Sequence, residues 1–144
     1  MSFDLSVIPN KNIVLAVTGG IAAYKSAILV RRLKDVGFNV RVVMTQGAQA
    51  FITPLTFQAL SGNPVHTELL NPEAEAGMGH IELARWADLL LVAPASCNTL
   101  AKFAAGLADD LLSTLYLATK SPVWVAPAMN QQMWAAKATQ RNLN

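Results

Sequence analysis

Four short segments carry small or polar residues at spacings suited to holding a ligand: Thr18-Gly19-Gly20, Thr45-Gln46-Gly47, Ser96-Cys97-Asn98-Thr99 and Ala128-Met129-Asn130. Each closes a short apolar run. Gly19 and Gly20 let a ligand approach the main chain. A helix starting just beyond them offers free N–H groups and a positive dipole end, which suits a phosphate. Ser96, Asn98 and Thr99 add hydroxyl and amide donors at a second helix start. Helix capping is the simpler account of that segment taken alone. Two phosphate motifs fail here. Gly19-Gly20-Ile21-Ala22-Ala23-Tyr24 lacks the glycine spacing of a dinucleotide fingerprint. Gly19 to Ser26 approaches a P-loop, but Tyr24 stands where the second glycine belongs, and Asp88 precedes its strand instead of following it. Nucleotide hydrolysis is rejected on that basis.

The chain has two histidines and one cysteine. Cys97 excludes an intrachain disulfide framework and a multi-cysteine metal site. It sits within the candidate ligand loop, where a small, partly buried side chain is the simpler account. His80 precedes a strand, which puts it at the wrong end of the sheet unless the loop before it carries it across or it serves a neighbouring subunit. His66 matches no motif and reads as a loop residue.

The elements that must position these segments alternate. Asn12 to Thr18 is an apolar run rich in β-branched residues, the pattern of a strand buried on both faces. Ala22 to Val36 changes to helical period, with Ala23, Ala27, Val30 and Leu33 on one face and Gly37 as the stop. Val40 to Met44 is a second strand. Thr45 to Phe51 turns into helix, and Thr53-Pro54 restarts it with a threonine cap and proline in the first turn. Val65 to Leu70 is a short strand, and residues 71–79 are irregular. Leu89 to Val92 is a buried strand. Ser96 to Ala105 and Asp109 to Thr119 are helices, Pro122 to Ala126 a strand, and Asn130 to Thr139 a final helix. Such alternation predicts an α/β fold: a parallel sheet with right-handed crossovers, flanked by helices in three layers. Ligands of such sheets bind beyond the carboxyl ends of the strands, where the four polar segments converge.

Composition narrows the classes. The 144 residues suit one domain, spanning 1–144. Charged residues make up 14%, against about 25% in ordinary soluble domains. The deficit predicts a surface partly covered by copies of the chain. The net charge of +2 is scattered, with no basic stripe for nucleic acid. The apolar stretch around residues 87–95 is far shorter than the roughly 20 residues that span a bilayer. A cytoplasmic protein, bound neither to membrane nor to nucleic acid, is expected.

The residues also resemble a known family. Gly19-Gly20-Ile21-Ala22-Ala23-Tyr24-Lys25, His80-Ile81-Glu82-Leu83 with Trp86-Ala87-Asp88, Pro94 to Thr99, and Pro127-Ala128-Met129-Asn130-Gln131-Gln132-Met133-Trp134 are similar to the homo-oligomeric flavin-containing cysteine decarboxylases. The last motif, P-x-M-N-x-x-M-W, is highly specific. Phe51 to Leu55 and Gly77 to His80 look most like the phosphopantothenoylcysteine decarboxylase branch, which bacteria join to a ligase in a bifunctional coenzyme A biosynthesis protein. The resemblance covers about Lys11 to Asn144. It implies a flavodoxin-like, Rossmann-like fold with FMN at a contact between subunits of a trimer or assembly of trimers.

Carried over position by position, the resemblance places Gly19, Gly20, Ile21 and Thr45 at the flavin phosphate and ribityl side. Ser96, Cys97, Asn98, Thr99 and Ala128 touch the cofactor. Asn130 binds the substrate carboxylate, with Met133 beside it. Met129, Met133 and Trp134 suit ordinary core packing equally well. His80 matches the essential histidine, and the resemblance favours its serving a neighbouring subunit's flavin; imidazole is the side chain that exchanges protons near neutral pH. The resemblance implies 4'-phosphopantothenoylcysteine as substrate. It further implies that the carbon bearing sulfur is oxidised before carbon dioxide leaves, which creates the electron sink decarboxylation needs. Members of the family carry a cysteine on a flap beyond the last motif. That segment and the ligase domain do not occur within residues 1–144, so a flavin-binding unit with incomplete turnover is expected. Two alternatives stand beside this: a non-catalytic flavin-binding regulatory subunit, and a flavoprotein acting on a peptide C-terminal cysteine. Both His80 and Asn130 weigh against the first.

Overall fold

The computed structural model describes residues 12–69 and 79–144. Its centre is a four-stranded parallel sheet in the order β2-β1-β3-β4, formed by β1 (Asn12–Val17), β2 (Asn39–Met44), β3 (Leu89–Ala95) and β4 (Val123–Pro127). β1 and β3 read as unbroken apolar runs because both of their faces are covered. Ile13 to Val17 and all seven residues of β3 are buried.

One face of the sheet carries α1 (Ala23–Asp35) and α2 (Pro54–Ser61). Val30, Leu33 and Phe57 pack there on Ile13, Leu15 and Leu91. α1 buries Ala23, Ser26, Val30 and Leu33, and Gly37 closes it at φ 98°. The other face carries α3 (His80–Trp86), α4 (Cys97–Ala105) and α5 (Leu111–Ala118), with Leu83, Leu100, Leu112 and Leu115 against Val14, Ala16, Leu90 and Val92. α6 (Gln131–Ala135) and α7 (Lys137–Asn142) follow β4, and α7 packs on α4. The order reverses direction between β1 and β3. That switch point is where ligand crevices open in doubly wound sheets.

Several expected elements differ in detail. Instead of a helix over Thr45 to Phe51 there is one 3₁₀ turn, Ala48–Ala50, opened by the Thr45 hydroxyl, which accepts the Ala48 N–H at 3.2 Å. Thr53 occupies the N-cap position of α2, but its side chain makes no cap bond; its hydroxyl lies 3.2 Å from that of Thr56. The strand expected over Val65 to Leu70 reduces to a single bridge between His66 and Val43. The last helix divides at Ala136, whose ψ of 137° interrupts the helical turn. The irregular segment expected at 71–79 lies outside the described residues except for Gly79.

Candidate functional site

A crevice of about 1030 Å³ opens beyond the carboxyl edge of the sheet. That is at the upper end of ordinary small-molecule sites, roughly 300–1000 Å³. Its walls are Gly19 after β1, Met44 to Gly47 at the end of β2, Thr67 to Leu69, Ser96 to Thr99 after β3, Asp109 to Leu112 at the start of α5, and Gln49, Lys102 and Met133.

Buried hydroxyls hold the loops in place. Thr18, fully buried, donates to the Pro94 carbonyl at 2.5 Å and accepts the Ser96 N–H at 2.8 Å. The exits of β1 and β3 are thereby tied together at the switch point. Ser26 of α1 donates to the Ala93 carbonyl at 2.6 Å. Gly19 lies so close to the β2 exit that a Cβ there would meet the Gly47 carbonyl carbon at 3.2 Å. At Gly20 a Cβ would meet nothing within 4 Å, so that position faces open space.

Ser96 caps α4, accepting the Thr99 N–H at 3.2 Å, and it also lines the crevice. Capping and ligand contact are therefore compatible at this segment. Cys97 is half-buried in the wall, with its Sγ 3.4 Å from the Thr139 hydroxyl of α7.

The charged side chains of the wall are Glu68, Lys102, Asp109 and Asp110. Lys102 bridges Asp109 at 3.1 Å and Asp110 at 3.2 Å. The hydrogen bond to Asp109, with the help of Asp110, raises the Lys102 ammonium above its ordinary value. Burial pushes the Asp110 carboxyl up, but the Ser113 hydroxyl, the Ser113 N–H and Lys102 together bring it below the usual carboxylate range. Asp110 and Ser113 form a reciprocal capping box at the start of α5. With its one cation engaged, the described wall offers an anion mainly uncharged donors: main-chain N–H groups, hydroxyls and side-chain amides. These elements escaped the motif reading, although Asp110 before Leu111-Leu112 is a legible helix-start signal.

The structure brings Gly19, Thr45, Ser96, Cys97, Asn98, Thr99 and Met133 to one cavity. Gly20, Ile21, Ala128, Asn130 and His80 do not line it. Ile21 is 78% exposed. Ala128 donates its N–H to the Ala95 carbonyl at 3.1 Å, at the rim of the β3 exit. Asn130 is the N-cap of α6, and its Oδ1 accepts the Met133 N–H at 2.9 Å. The cap leaves the Nδ2 donors of the amide for an outside acceptor. His80 is the first residue of α3, a helix that the sequence reading did not anticipate. α3 ends at Trp86, shortly before β3 begins, so it runs antiparallel to the strands beside α5. His80 is at the N-terminal end of α3, away from its junction with β3, and it does not line the crevice.

Residues 4–144 match the Flavoprotein family. The coenzyme A biosynthesis bifunctional protein CoaBC of Escherichia coli K12 is 63% identical over 133 residues, covering 92% of this chain and 33% of that protein. The Bacillus subtilis protein of the same name is 47% identical over 135 residues, covering 94% and 33%. The chain thus spans about a third of the length of the curated relatives it matches. Among solved structures, the FMN-dependent cysteine decarboxylase SpaF superposes with a TM-score of 0.86 at 35% identity, covering 95% of this chain and 79% of that one. A cysteine-to-serine variant of a PPC decarboxylase, complexed with pantothenoylaminoethenethiol, superposes with a TM-score of 0.75 at 36% identity, covering 92% and 75%. Sheet order, crevice and similarity agree: the chain belongs to the flavoprotein family, among the FMN-dependent cysteine decarboxylases.

Proposed function

We propose that this chain binds FMN and decarboxylates 4'-phosphopantothenoylcysteine to 4'-phosphopantetheine in coenzyme A biosynthesis. The observation that carries the reading is the crevice at the β1–β3 switch point, in a chain 63% identical to the matching third of a coenzyme A biosynthesis protein. The residues present fit FMN. The cavity is large enough, and its donors are N–H groups, hydroxyls and amides that suit a phosphate and a polyol.

Bound FMN supplies a two-electron acceptor for the carbon bearing sulfur. The protein supplies orientation and charge management. Gly19, Gly20, Ile21 and Thr45 take the phosphate and ribityl side, with Ser96 to Thr99 and Ala128 along the rest of the cofactor. Asn130 presents its Nδ2 donors to the substrate carboxylate, because the α6 cap already occupies its Oδ1. Met133 packs beside it. His80 moves a proton. A homo-oligomer of trimeric units completes the site, and the exposure of Ile21, Tyr24 and Ile28 supports a covered surface there. The reading places the protein in the cytoplasm; among the described residues no helix is long and apolar enough to cross a membrane.

The first test is the visible absorption spectrum of purified protein, with the released chromophore identified by mass. Yellow protein releasing FMN is expected; colourless protein that takes up no added FMN contradicts the reading. The second is Asn130→Asp. Aspartate caps α6 as well as asparagine does, so fold and flavin binding persist. Its carboxylate opposes that of the substrate, and affinity drops by at least about tenfold. Unchanged affinity for phosphopantothenoylcysteine by titration removes Asn130 from the substrate site.

A further inference from the structure

α3 buries Leu83 and Ala84 in the core, is fastened at its Trp86 end, and carries His80 at the other. At the held end, the Arg41 guanidinium carbon of β2 lies 5.5 Å from the centre of the Trp86 ring, within cation–π range. The Asn12 side-chain amide donates to the Trp86 carbonyl at 3.2 Å. The Asp88 N–H donates to the Asn12 carbonyl at 2.8 Å. His80 is six residues from Trp86, about 9 Å along the helix axis at 1.5 Å per residue.

Arg41 is an unusual occupant of its row. Val43, two residues along the same face of β2, belongs to the buried apolar cluster with Val14, Ala16 and Leu83. An apolar side chain at position 41 would continue that cluster. A cation there gives the Trp86 ring a directional partner that an aliphatic residue lacks.

We propose that Arg41 is a positioning residue for the reaction: through Trp86 it completes the seating of α3 begun by Leu83 and Ala84, and so sets the place of His80. The inference rests on the reading of His80 as the proton-transferring group. The lever makes small errors matter. A tilt of about 6° over that length moves the His80 end by about 1 Å. Misplacement of that size costs a catalytic step as much as about a hundredfold. A purely structural role is the competing account, in which the Arg41 stem covers the ring and its charge reaches water.

Arg41→Met keeps the stem and removes the cation, and Arg41→Lys restores a cation. In FMN-loaded protein we expect Arg41→Met to bind FMN and phosphopantothenoylcysteine within about threefold of the parent, while the rate of flavin bleaching by that substrate falls about tenfold or more. Arg41→Lys recovers most of the rate. The chain has only two histidines, so imidazole C2–H resonances, assigned with His66→Gln and His80→Asn, report position directly. The His80 resonance moves in Arg41→Met and returns in Arg41→Lys. An unchanged rate with an unmoved His80 resonance overturns the proposal, as does a loss that lysine does not restore. If Arg41→Met fails to fold, Trp86→Phe, which keeps an aromatic face but weakens the cation–π contact, is read the same way. His80→Asn separates the two layers. If it bleaches flavin at the parental rate, the role of His80 is wrong; if it is inactive while Arg41→Met is normal, only the positioning role falls.

Discussion

The His66 imidazole is 4% exposed, and its Nε2 has no hydrogen-bond partner among the described residues. Its main chain bridges β2, accepting from Met44 and donating to Val42, both at 2.9 Å. Burial, and then the nearby positive charge of Arg41, hold the imidazole below its ordinary value. The folded state therefore keeps it neutral, while in the unfolded chain it protonates as pH falls through about 6.5. Below that pH the unfolded state binds the extra proton, so the contribution of His66 to stability is lost on acidification and is absent as a variable above neutrality. The expected outcome is a urea midpoint that falls between about pH 7 and pH 5, with a slope no steeper than about 1.4 kcal/mol per pH unit from this one group. His66→Leu, which removes the unpaired nitrogen, flattens that part of the curve and costs little at pH 7. An identical slope in His66→Leu assigns the titration elsewhere. The sequence offers no motif for His66, and the strand expected over Val65 to Leu70 contracts to the single bridge that His66 makes with Val43. The cavity residues Thr45 and Ser96 to Thr99 were legible because each directly follows a long apolar run, whose end fixes where its side chains emerge.

At the scale of elements, the β1–α1 loop separates two glycines that the sequence presents as equivalent. Gly19 is confined by main chain on main chain, with its prospective Cβ 3.2–3.3 Å from three Gly47 atoms. Neither partner is a flexible side chain, so Gly19→Ala forces the β1 and β2 exits apart. We expect it to destabilise the fold by about 1–3 kcal/mol, as other overpacked sites do, and to weaken FMN binding with it. Gly20→Ala meets no protein atom within 4 Å. The flavin-free protein then melts at the parental temperature, and only FMN affinity falls if the phosphate rests on that residue. Thermal melting with and without FMN distinguishes the two. Equal melting temperatures for both flavin-free variants contradict the packing argument, and parental FMN affinity in Gly20→Ala moves the phosphate elsewhere. Strands β1 and β3 and helix α1 were legible because burial on both faces or along one stripe imposes a long, simple pattern; β4, half-buried throughout, was legible from its apolar run alone. α3 was not. Seven residues make about two turns, too few for a helical period to emerge beside the apolar run of β3. The division at Ala136 was equally hidden, since an alanine carries no turn signal.

The whole molecule leaves a surface that a single copy does not explain. Ile21 is 78% exposed, Leu55 70%, Tyr24 56%, Phe51 53% and Ile28 51%. Tyr24 and Ile28 stand four residues apart on α1, which packs against α2, the helix of Leu55. Ile21 lies in the turn between Gly20 and α1, beside the proposed phosphate loop. Low charge content predicts only that some surface is covered; the structure puts five large exposed apolar side chains on the layer of α1 and α2. Burying them against another copy removes apolar area from water at about 25 cal/mol per Å², and it closes the open space next to Gly20. The proposed homo-oligomer therefore makes a linked prediction. Placing charge on the patch with Ile28→Glu and Leu55→Glu lowers the mass measured by light scattering at micromolar concentration, without unfolding the chain, because both side chains point away from its own core. FMN affinity falls in step with the loss of assembly, since the flavin loop loses its cover. Retained FMN affinity in a dissociated variant means that one copy holds the cofactor by itself. An unchanged mass in the double variant places the subunit contact on another face, such as that of Met133 and Trp134 of α6, 43% and 45% exposed.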